Sequence, residues 1–132
     1  GSGAITIPML ENGCQVLAQE GSGPAIENLR RTLSEAGYND RCECKQANIQ
    51  SIPPGRFDVC VLDPPRKGAK EVVSLLKPDR FGRIVYVSCD LGTLVRDLKV
   101  LVDAGYVLVR GRLFEMFPNT GHVECVVHLR KP

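Results

Sequence analysis

Short apolar runs alternate with amphipathic helical segments along this chain of 132 residues. The apolar runs predict six strands, over residues 15–19, 41–45, 57–62, 82–88, 107–115 and 123–130. Helices are predicted over residues 24–36, 69–76 and 91–104. Because parallel strands need a long crossover, usually a helix, this order predicts an α/β domain with a mostly parallel sheet covered on both faces. No helix separates the last two strands, so these two are expected to pair as antiparallel neighbours.

Two of the predicted helices carry signals at both ends. The helix over 24–36 has Pro24 in its first turn and stops before Gly37, and its alternating charges predict a solvent-facing polar side. Asp90 is placed to cap the helix over 91–104, which stops before Gly105. The apolar stripes are Ile26, Leu29, Leu33 and Ala36 in the first helix, and Leu94, Val95, Leu98, Leu101 and Val102 in the second.

Composition limits the class of protein. With 43% hydrophobic and 24% charged residues, the chain resembles one soluble domain over 1–132, and its net charge of +2 neither requires nor excludes a nucleic-acid partner. We find no apolar run of membrane-spanning length and no signal pattern, so the cytoplasm is the default location. Six cysteines fall largely in strand-like runs, which predicts mostly buried thiols rather than a disulfide framework. No metal site is predicted, because only one residue separates Cys42 from Cys44, whereas zinc-type spacing has at least two residues between the cysteines.

Cys89 lies where the apolar run over 82–88 ends and a helix begins. The carboxyl end of a strand followed by the amino end of a helix is the reaction edge of an α/β sheet, where a helix terminus favours the thiolate. Cys89 is therefore a candidate nucleophile. The alternative is an inert packing residue, since free cysteines are often buried.

Two acids are expected at the same sheet edge. Asp63 ends a strand and is followed by two prolines and Arg66, which hold the carboxylate in a rigid turn. Glu124 ends the loop over 117–124, as the last strand begins. For both segments the alternative is a plain connection, with His122 and Glu124 exposed to solvent.

A third acid suggests a nucleotide-type site. Glu20 ends the first predicted strand, about 20 residues beyond a glycine pair at Gly1 and Gly3, and such an acid accepts hydrogen bonds from ribose hydroxyls in nucleotide-binding folds. From the sequence alone, the first three residues are a cloning remnant, an excised start or a native glycine loop.

Taken in order, these segments resemble the catalytic domain of the RNA uracil-5-methyltransferase family. The resemblance rests on Gly1-Ser2-Gly3 with Ile7-Pro8, Glu20-Gly21, Asn48, Asp63-Pro64-Pro65-Arg66-Lys67-Gly68, Val85-Tyr86-Val87-Ser88-Cys89-Asp90 with Thr93-Leu94 and Arg96-Asp97, and Phe117-Pro118-Asn119-Thr120-Gly121-His122-Val123-Glu124. It implies a Rossmann-like sheet with an antiparallel final strand, S-adenosylmethionine as cofactor and a uridine of ribosomal or transfer RNA as substrate. Members of the related RNA cytosine-5 family carry a second cysteine where this chain has Arg66.

The resemblance also implies roles for single residues. Cys89 matches the nucleophile that adds to carbon 6 of uracil, and Glu124 matches the base that removes the carbon 5 proton. The cofactor contacts are Gly1, Gly3, Glu20, Asn48 and Asp63. Arg66, Thr120 and His122 are expected at the RNA substrate.

The resemblance implies a strand and an acid before the glycine loop, which this chain does not contain. We therefore expect a fragment that lacks the first, central strand, turns over little or not at all alone, and is open to strand exchange or dimerisation. The alternative function is a non-catalytic RNA-binding or scaffold module with the same fold.

Overall fold

A computed structural model describes residues 3–48 and 51–132. The chain divides into two compact units, Gly1–Ser51 and Ile52–Pro132. That the whole chain forms one domain stays a prediction. No helix in the described ranges is both long and apolar enough to cross a membrane.

The first unit contains a parallel strand pair joined by a helix. Its elements are α1 (Thr6–Glu11), β1 (Val16–Glu20), α2 (Gly23–Ala36), a single 3₁₀ turn (Asn39–Arg41) and β2 (Cys42–Gln46). In α2, the Ser22 hydroxyl accepts a hydrogen bond from the Ala25 N–H, and Gly37 ends the helix at φ 76°. The core of this unit is formed by Leu10, Ile26, Leu29 and Leu33.

The second unit contains a four-stranded sheet in the order β3-β4-β6-β5. Its elements are β3 (Phe57–Leu62), α3 (Lys70–Val73), β4 (Phe81–Ser88), α4 (Leu91–Asp103), β5 (Val107–Phe117) and β6 (His122–Arg130). β3 and β4 run parallel, while β6 lies between β4 and β5 and runs antiparallel to both. The prediction of an antiparallel final strand is therefore confirmed. The strands form two separate sheets, and the absence of a central strand stays a prediction.

Some details of the predicted elements were wrong. The sequence did not predict α1, because six residues with Pro8 among them are too short to show a helical period. The helix predicted over 69–76 shortens to Lys70–Val73, after which Leu75 and Leu76 bond three residues back in tight turns. Ala36, at the end of α2, is exposed rather than on the buried stripe.

The prediction that most cysteines are buried was also wrong. Only Cys125 is buried; Cys14 is exposed, and the other four are partly exposed. Cys42, Cys44 and Cys60 lie in strands whose residues are mostly only partly buried or exposed. A position in a strand-like run was therefore not enough to predict a fully buried thiol. All six are free thiols.

Candidate active site

Cys89 occupies the sharp turn between β4 and α4. The buried Ser88 hydroxyl spans this turn, donating to the Asp90 carbonyl at 2.9 Å and accepting from the Asp90 N–H at 3.1 Å. Asp90 then caps α4, as predicted, by accepting a hydrogen bond from the Thr93 N–H at 2.9 Å, which lowers the pKa of the Asp90 carboxyl. The Cys89 side chain remains partly exposed at the end of the sheet.

Glu124 lies beside Cys89 because β6 pairs with β4. Ser88 is directly opposite Cys125 in the antiparallel register, so the residue after Ser88 and the residue before Cys125 reach the same edge. Both side chains line a cavity of about 290 Å³, together with Arg66, Met116, Phe117, His122 and Val123. The structure thus brings four of the predicted site residues together: Cys89, Glu124, Arg66 and His122.

Arg66 lines this cavity from the loop after β3, and side chains of α4 form hydrogen bonds with the backbone of that loop. The Thr93 hydroxyl donates to the Arg66 carbonyl at 2.9 Å, and the Arg96 Nη2 donates to the Lys67 carbonyl at 3.0 Å. Gly68 takes φ 77°, and a Cβ there would come within 2.6 Å of Arg96 and Asp97 side-chain atoms. This close approach of backbone to α4 requires glycine.

Asp97 is the centre of this arrangement; with Arg96 it is among the residues that carry the family resemblance, but the sequence assigned it no role. Its side chain is fully buried, and its Oδ2 accepts hydrogen bonds from the Ala69 N–H and the Tyr86 hydroxyl, both at 2.6 Å. Its Oδ1 accepts from Arg96 Nε and Nη2 at 2.9 and 2.7 Å. Burial and the neighbouring Asp97 carboxylate raise the pKa of Tyr86.

The position of Asp97 on α4 was the available signal. The buried residues of α4 are Leu94, Asp97 and Leu101, whereas Val95 and Val102, predicted on the apolar stripe, are exposed. A carboxylate in the buried stripe of a helix needs partners to compensate for lost hydration, so such a residue predicts a polar network.

The turn between β5 and β6 carries Thr120, and β6 begins at His122. Pro118 and Asn119 occupy its centre, with Asn119 at φ 64°, a combination typical of a type II turn. The Thr120 hydroxyl donates to the Phe117 carbonyl at 2.6 Å, and the His122 ring meets the Phe117 ring edge to face at 6.0 Å. Thr120 does not line the cavity, so its contact with substrate stays a prediction.

The predicted cofactor contacts are divided between the two units. Asp63 is exposed after β3 in the second unit and does not line the cavity that holds Cys89. In the first unit, the Glu20 carboxylate accepts a hydrogen bond from the Ser22 N–H at 2.9 Å, and the Asn48 carbonyl accepts one from Gln19 Nε2 at 2.9 Å. Gly3 is buried at φ 110°, while Gly1 lies outside the described residues.

Three of the other cysteines are poorly suited to attack a substrate. Burial raises the pKa of Cys60 to about 11 and also raises that of Cys125. Burial and the neighbouring Cys44 raise the pKa of Cys42 to about 11. These three thiols are protonated at neutral pH, and the thiolate is the nucleophile.

A family model for tRNA (uracil-5-)-methyltransferases matches residues 32–132. The chain belongs to this family. The matched region includes the predicted site residues Asp63, Arg66, Cys89, Thr120, His122 and Glu124. All the residues that line the cavity around Cys89 also lie within the matched region.

Curated relatives agree with this family. The 23S rRNA (uracil(1939)-C(5))-methyltransferase RlmD of Dechloromonas aromatica is 40% identical over 139 residues, covering 100% of this chain and 32% of the relative. RlmD of Nitrosospira multiformis is 37% identical, covering 99% of this chain and 32% of the relative. The chain therefore spans about a third of the length of these relatives.

Solved structures confirm the fold class. The tRNA (uracil-54, C5)-methyltransferase of Pyrococcus abyssi, in complex with S-adenosyl-L-homocysteine, aligns with a TM-score of 0.87 at 33% identity, covering 98% of this chain and 32% of that one. Magnesium protoporphyrin IX methyltransferase from Synechocystis, with bound S-adenosylmethionine, aligns at 0.77 with 16% identity, covering 100% and 66%, which shows likeness of fold alone. The predicted Rossmann-like methyltransferase fold is confirmed.

Proposed function

We propose that this chain carries the catalytic residues of an S-adenosylmethionine-dependent enzyme that methylates carbon 5 of a uridine in ribosomal or transfer RNA. The observation that carries the proposal is the convergence of Cys89, Glu124 and Arg66 on one cavity. A thiol, a carboxylate and a cation come from three separate segments of the chain. The family and the names of the relatives support the same chemistry.

Cys89 begins the reaction because carbon 5 of uracil is a poor nucleophile. The thiolate forms a bond to carbon 6, and the electron pair of the carbon 5–carbon 6 double bond moves to give an enolate. When bound, S-adenosylmethionine supplies an electrophilic methyl group for carbon 5. Glu124 then takes the carbon 5 proton, the double bond re-forms, and the bond from carbon 6 to sulfur breaks to release the Cys89 thiolate.

Residues of the first unit fit a methyl donor that carries a ribose. The Glu20 carboxylate ends β1, where it can accept hydrogen bonds from ribose hydroxyls. Gly21 follows directly, and the position of its missing Cβ is 4.0 Å from Asn48 Oδ1, so Asn48 lies close to the end of β1. The cofactor contacts of Gly3, Glu20, Asn48 and Asp63 are part of the proposal.

Arg66 supplies the positive charge of the cavity. It lies close enough to Asp90 for its charge to contribute to the low pKa of that carboxyl, after the main contribution from the Thr93 N–H. A guanidinium held there can contact RNA phosphate or the carbonyl oxygens of uracil. His122 lines the same cavity and is a second polar contact for the base.

The proposal is tested by trapping the covalent intermediate with RNA that contains 5-fluorouridine. Fluorine cannot leave carbon 5 as a proton does, so the adduct is expected to persist after methyl transfer. Full-length protein should form a complex with this RNA that survives denaturation, and mass spectrometry should place the attached base on Cys89. Attachment at another cysteine would overturn the assignment, and a non-catalytic RNA-binding module would form no adduct.

Little turnover by the isolated 132 residues stays a prediction. The curated relatives are about three times as long, since the chain covers 32% of their length. Turnover is therefore compared between the 132-residue chain and the full-length protein. Equal rates would remove this part of the proposal without affecting the assignment of Cys89.

Glu124→Gln is expected to trap the adduct with ordinary uridine RNA. Glutamine keeps the shape of the side chain but cannot take the carbon 5 proton, so we expect turnover to fall by roughly 10²- to 10⁴-fold. The methylated RNA should remain attached to Cys89 and be visible on a denaturing gel.

Glu115→Gln is the matched control for this substitution. Glu115 lies on neighbouring β5, opposite Val123, so its side chain is on the other face of the sheet from Glu124. This variant should turn over at the wild-type rate. Full turnover by Glu124→Gln would assign the base to another group.

A further inference from the structure

β5 is exposed along its whole length. All eleven residues from Val107 to Phe117 are exposed, and β6 is the partner strand of β5 within the described sheet. Successive side chains of β5 point to opposite faces, so Arg110, Arg112 and Phe114 lie on one face of this strand. Neither arginine has an ion-pair partner among the residues that the structure describes.

This face continues into the active-site edge. In the register of β5 with β6, Arg110 lies opposite His128, Arg112 opposite Val126, and Phe114 opposite Glu124. Opposite residues of an antiparallel pair project to the same face, so Phe114 stands beside the proposed base. The strand then reaches the cavity itself, whose lining includes Met116 and Phe117.

The side chains along this face suit a single strand of nucleic acid. Proteins that hold single strands combine cations that follow the phosphates with aromatic rings on which bases stack. Arg110 and Arg112 are two residues apart, about 7 Å along a strand, so they can meet successive phosphates of an extended chain. Phe114 is 44% exposed, so a large part of this aromatic residue is accessible to a base.

We propose that Arg110, Arg112 and Phe114 form a platform for the RNA strand next to the target uridine. The two guanidinium groups contact phosphates, and the Phe114 ring stacks on an unpaired neighbouring base. This inference rests on the proposed function, because it takes the cavity around Cys89 as the place where the uridine reacts. It adds the direction in which the RNA leaves that cavity, along β5 toward Arg110.

A second copy of this chain fits the same surface less well. An exposed edge strand can pair with another strand, and cationic side chains are a common protection against this. In an antiparallel pairing of two β5 strands about Gly111, Arg110 of one copy would lie opposite Arg112 of the other. Like charges directly opposite each other destabilise such a pair.

The test uses the double variant Arg110→Gln/Arg112→Gln in the full-length protein. The probe is a single-stranded RNA of ordinary uridine sequence, and binding is measured by fluorescence anisotropy at several salt concentrations. We expect at least about tenfold weaker binding and a salt slope reduced by about 1.4, since each phosphate contact on a single strand contributes about 0.7. With saturating RNA, kcat should be unchanged while KM rises.

Two further variants separate charge from stacking. Phe114→Leu should weaken binding about fivefold or more without changing the salt slope, because base stacking releases no counterions. Arg110→Lys/Arg112→Lys should recover most of the affinity. The matched control is Lys77→Gln/Lys99→Gln, which removes two exposed positive charges elsewhere in the same unit and should leave affinity near wild type.

The outcomes distinguish this inference from the proposed function. Unchanged RNA affinity in Arg110→Gln/Arg112→Gln, or an equal loss in the lysine control, would overturn the platform even if Cys89 still forms its 5-fluorouridine adduct. Failure of wild-type protein to form that adduct would instead overturn the proposed function. Self-association is tested by sedimentation. If the wild-type protein sediments as a dimer and the Arg110→Gln/Arg112→Gln variant dimerises more strongly, β5 is a self-association surface and the platform is overturned.

Discussion

Cys89→Ala is expected to abolish methyl transfer by the full-length protein, with turnover falling by about 10⁴-fold or more, because the adduct to carbon 6 precedes every later step. The side chain is partly exposed and small, so the free energy of unfolding should change by less than about 1 kcal/mol. Activity is measured as labelled methyl groups transferred to uridine-containing RNA. The same preparations are tested for adduct formation with 5-fluorouridine RNA, which should also be lost.

Cys60→Ala is the control for this prediction. Cys60 lies in β3 of the same unit, and burial raises its pKa to about 11, so its thiol is protonated at neutral pH. Its removal should leave both turnover and adduct formation intact. Adduct formation by Cys89→Ala, or loss of the adduct in Cys60→Ala, would require a different nucleophile.

Local sequence patterns were sufficient to predict most of the framework that holds Cys89. Strand β3 was predicted at its observed bounds, and β4 began one residue earlier than expected. Asp90 was predicted as a cap, and its hydrogen bond with the Thr93 N–H confirms that role. These features depend on neighbours close in sequence, such as a capping carboxylate and the period of apolar residues, and such signals are visible without a structure.

Features that depend on distant segments were not predictable in the same way. The convergence of Arg66 and His122 on one cavity results from pairing of β6 with β4 and from the α4 contacts to the loop after β3. Solvent exposure of β5 was also missed, because an apolar alternating run predicts a strand but not whether another element covers it. The hydrogen-bond network of Asp97 was not predicted for the same reason, since its partners are up to 28 residues away.

Asp97→Ala is expected to destabilise the second unit by about 3 kcal/mol. The substitution leaves the Ala69 N–H and the Tyr86 hydroxyl without their acceptor in a buried position, and each unsatisfied buried group costs about 1–3 kcal/mol. Arg96 adds less, because it is 40% exposed and can be hydrated once its partner is gone. Urea unfolding followed by circular dichroism measures the change.

Asp103→Ala provides the matched control on the same helix. Asp103 is exposed at the carboxyl end of α4, where a negative charge is slightly unfavourable, so its removal should change stability by less than about 0.5 kcal/mol. Asp97→Asn tests the network further, because its amide oxygen can still accept from Ala69 and Tyr86 but the side chain no longer pairs with Arg96 as a carboxylate. We expect an intermediate loss of stability and a looser hold on the loop that carries Arg66. Equal unfolding free energies for Asp97→Ala and Asp103→Ala would show that the loop is held without Asp97.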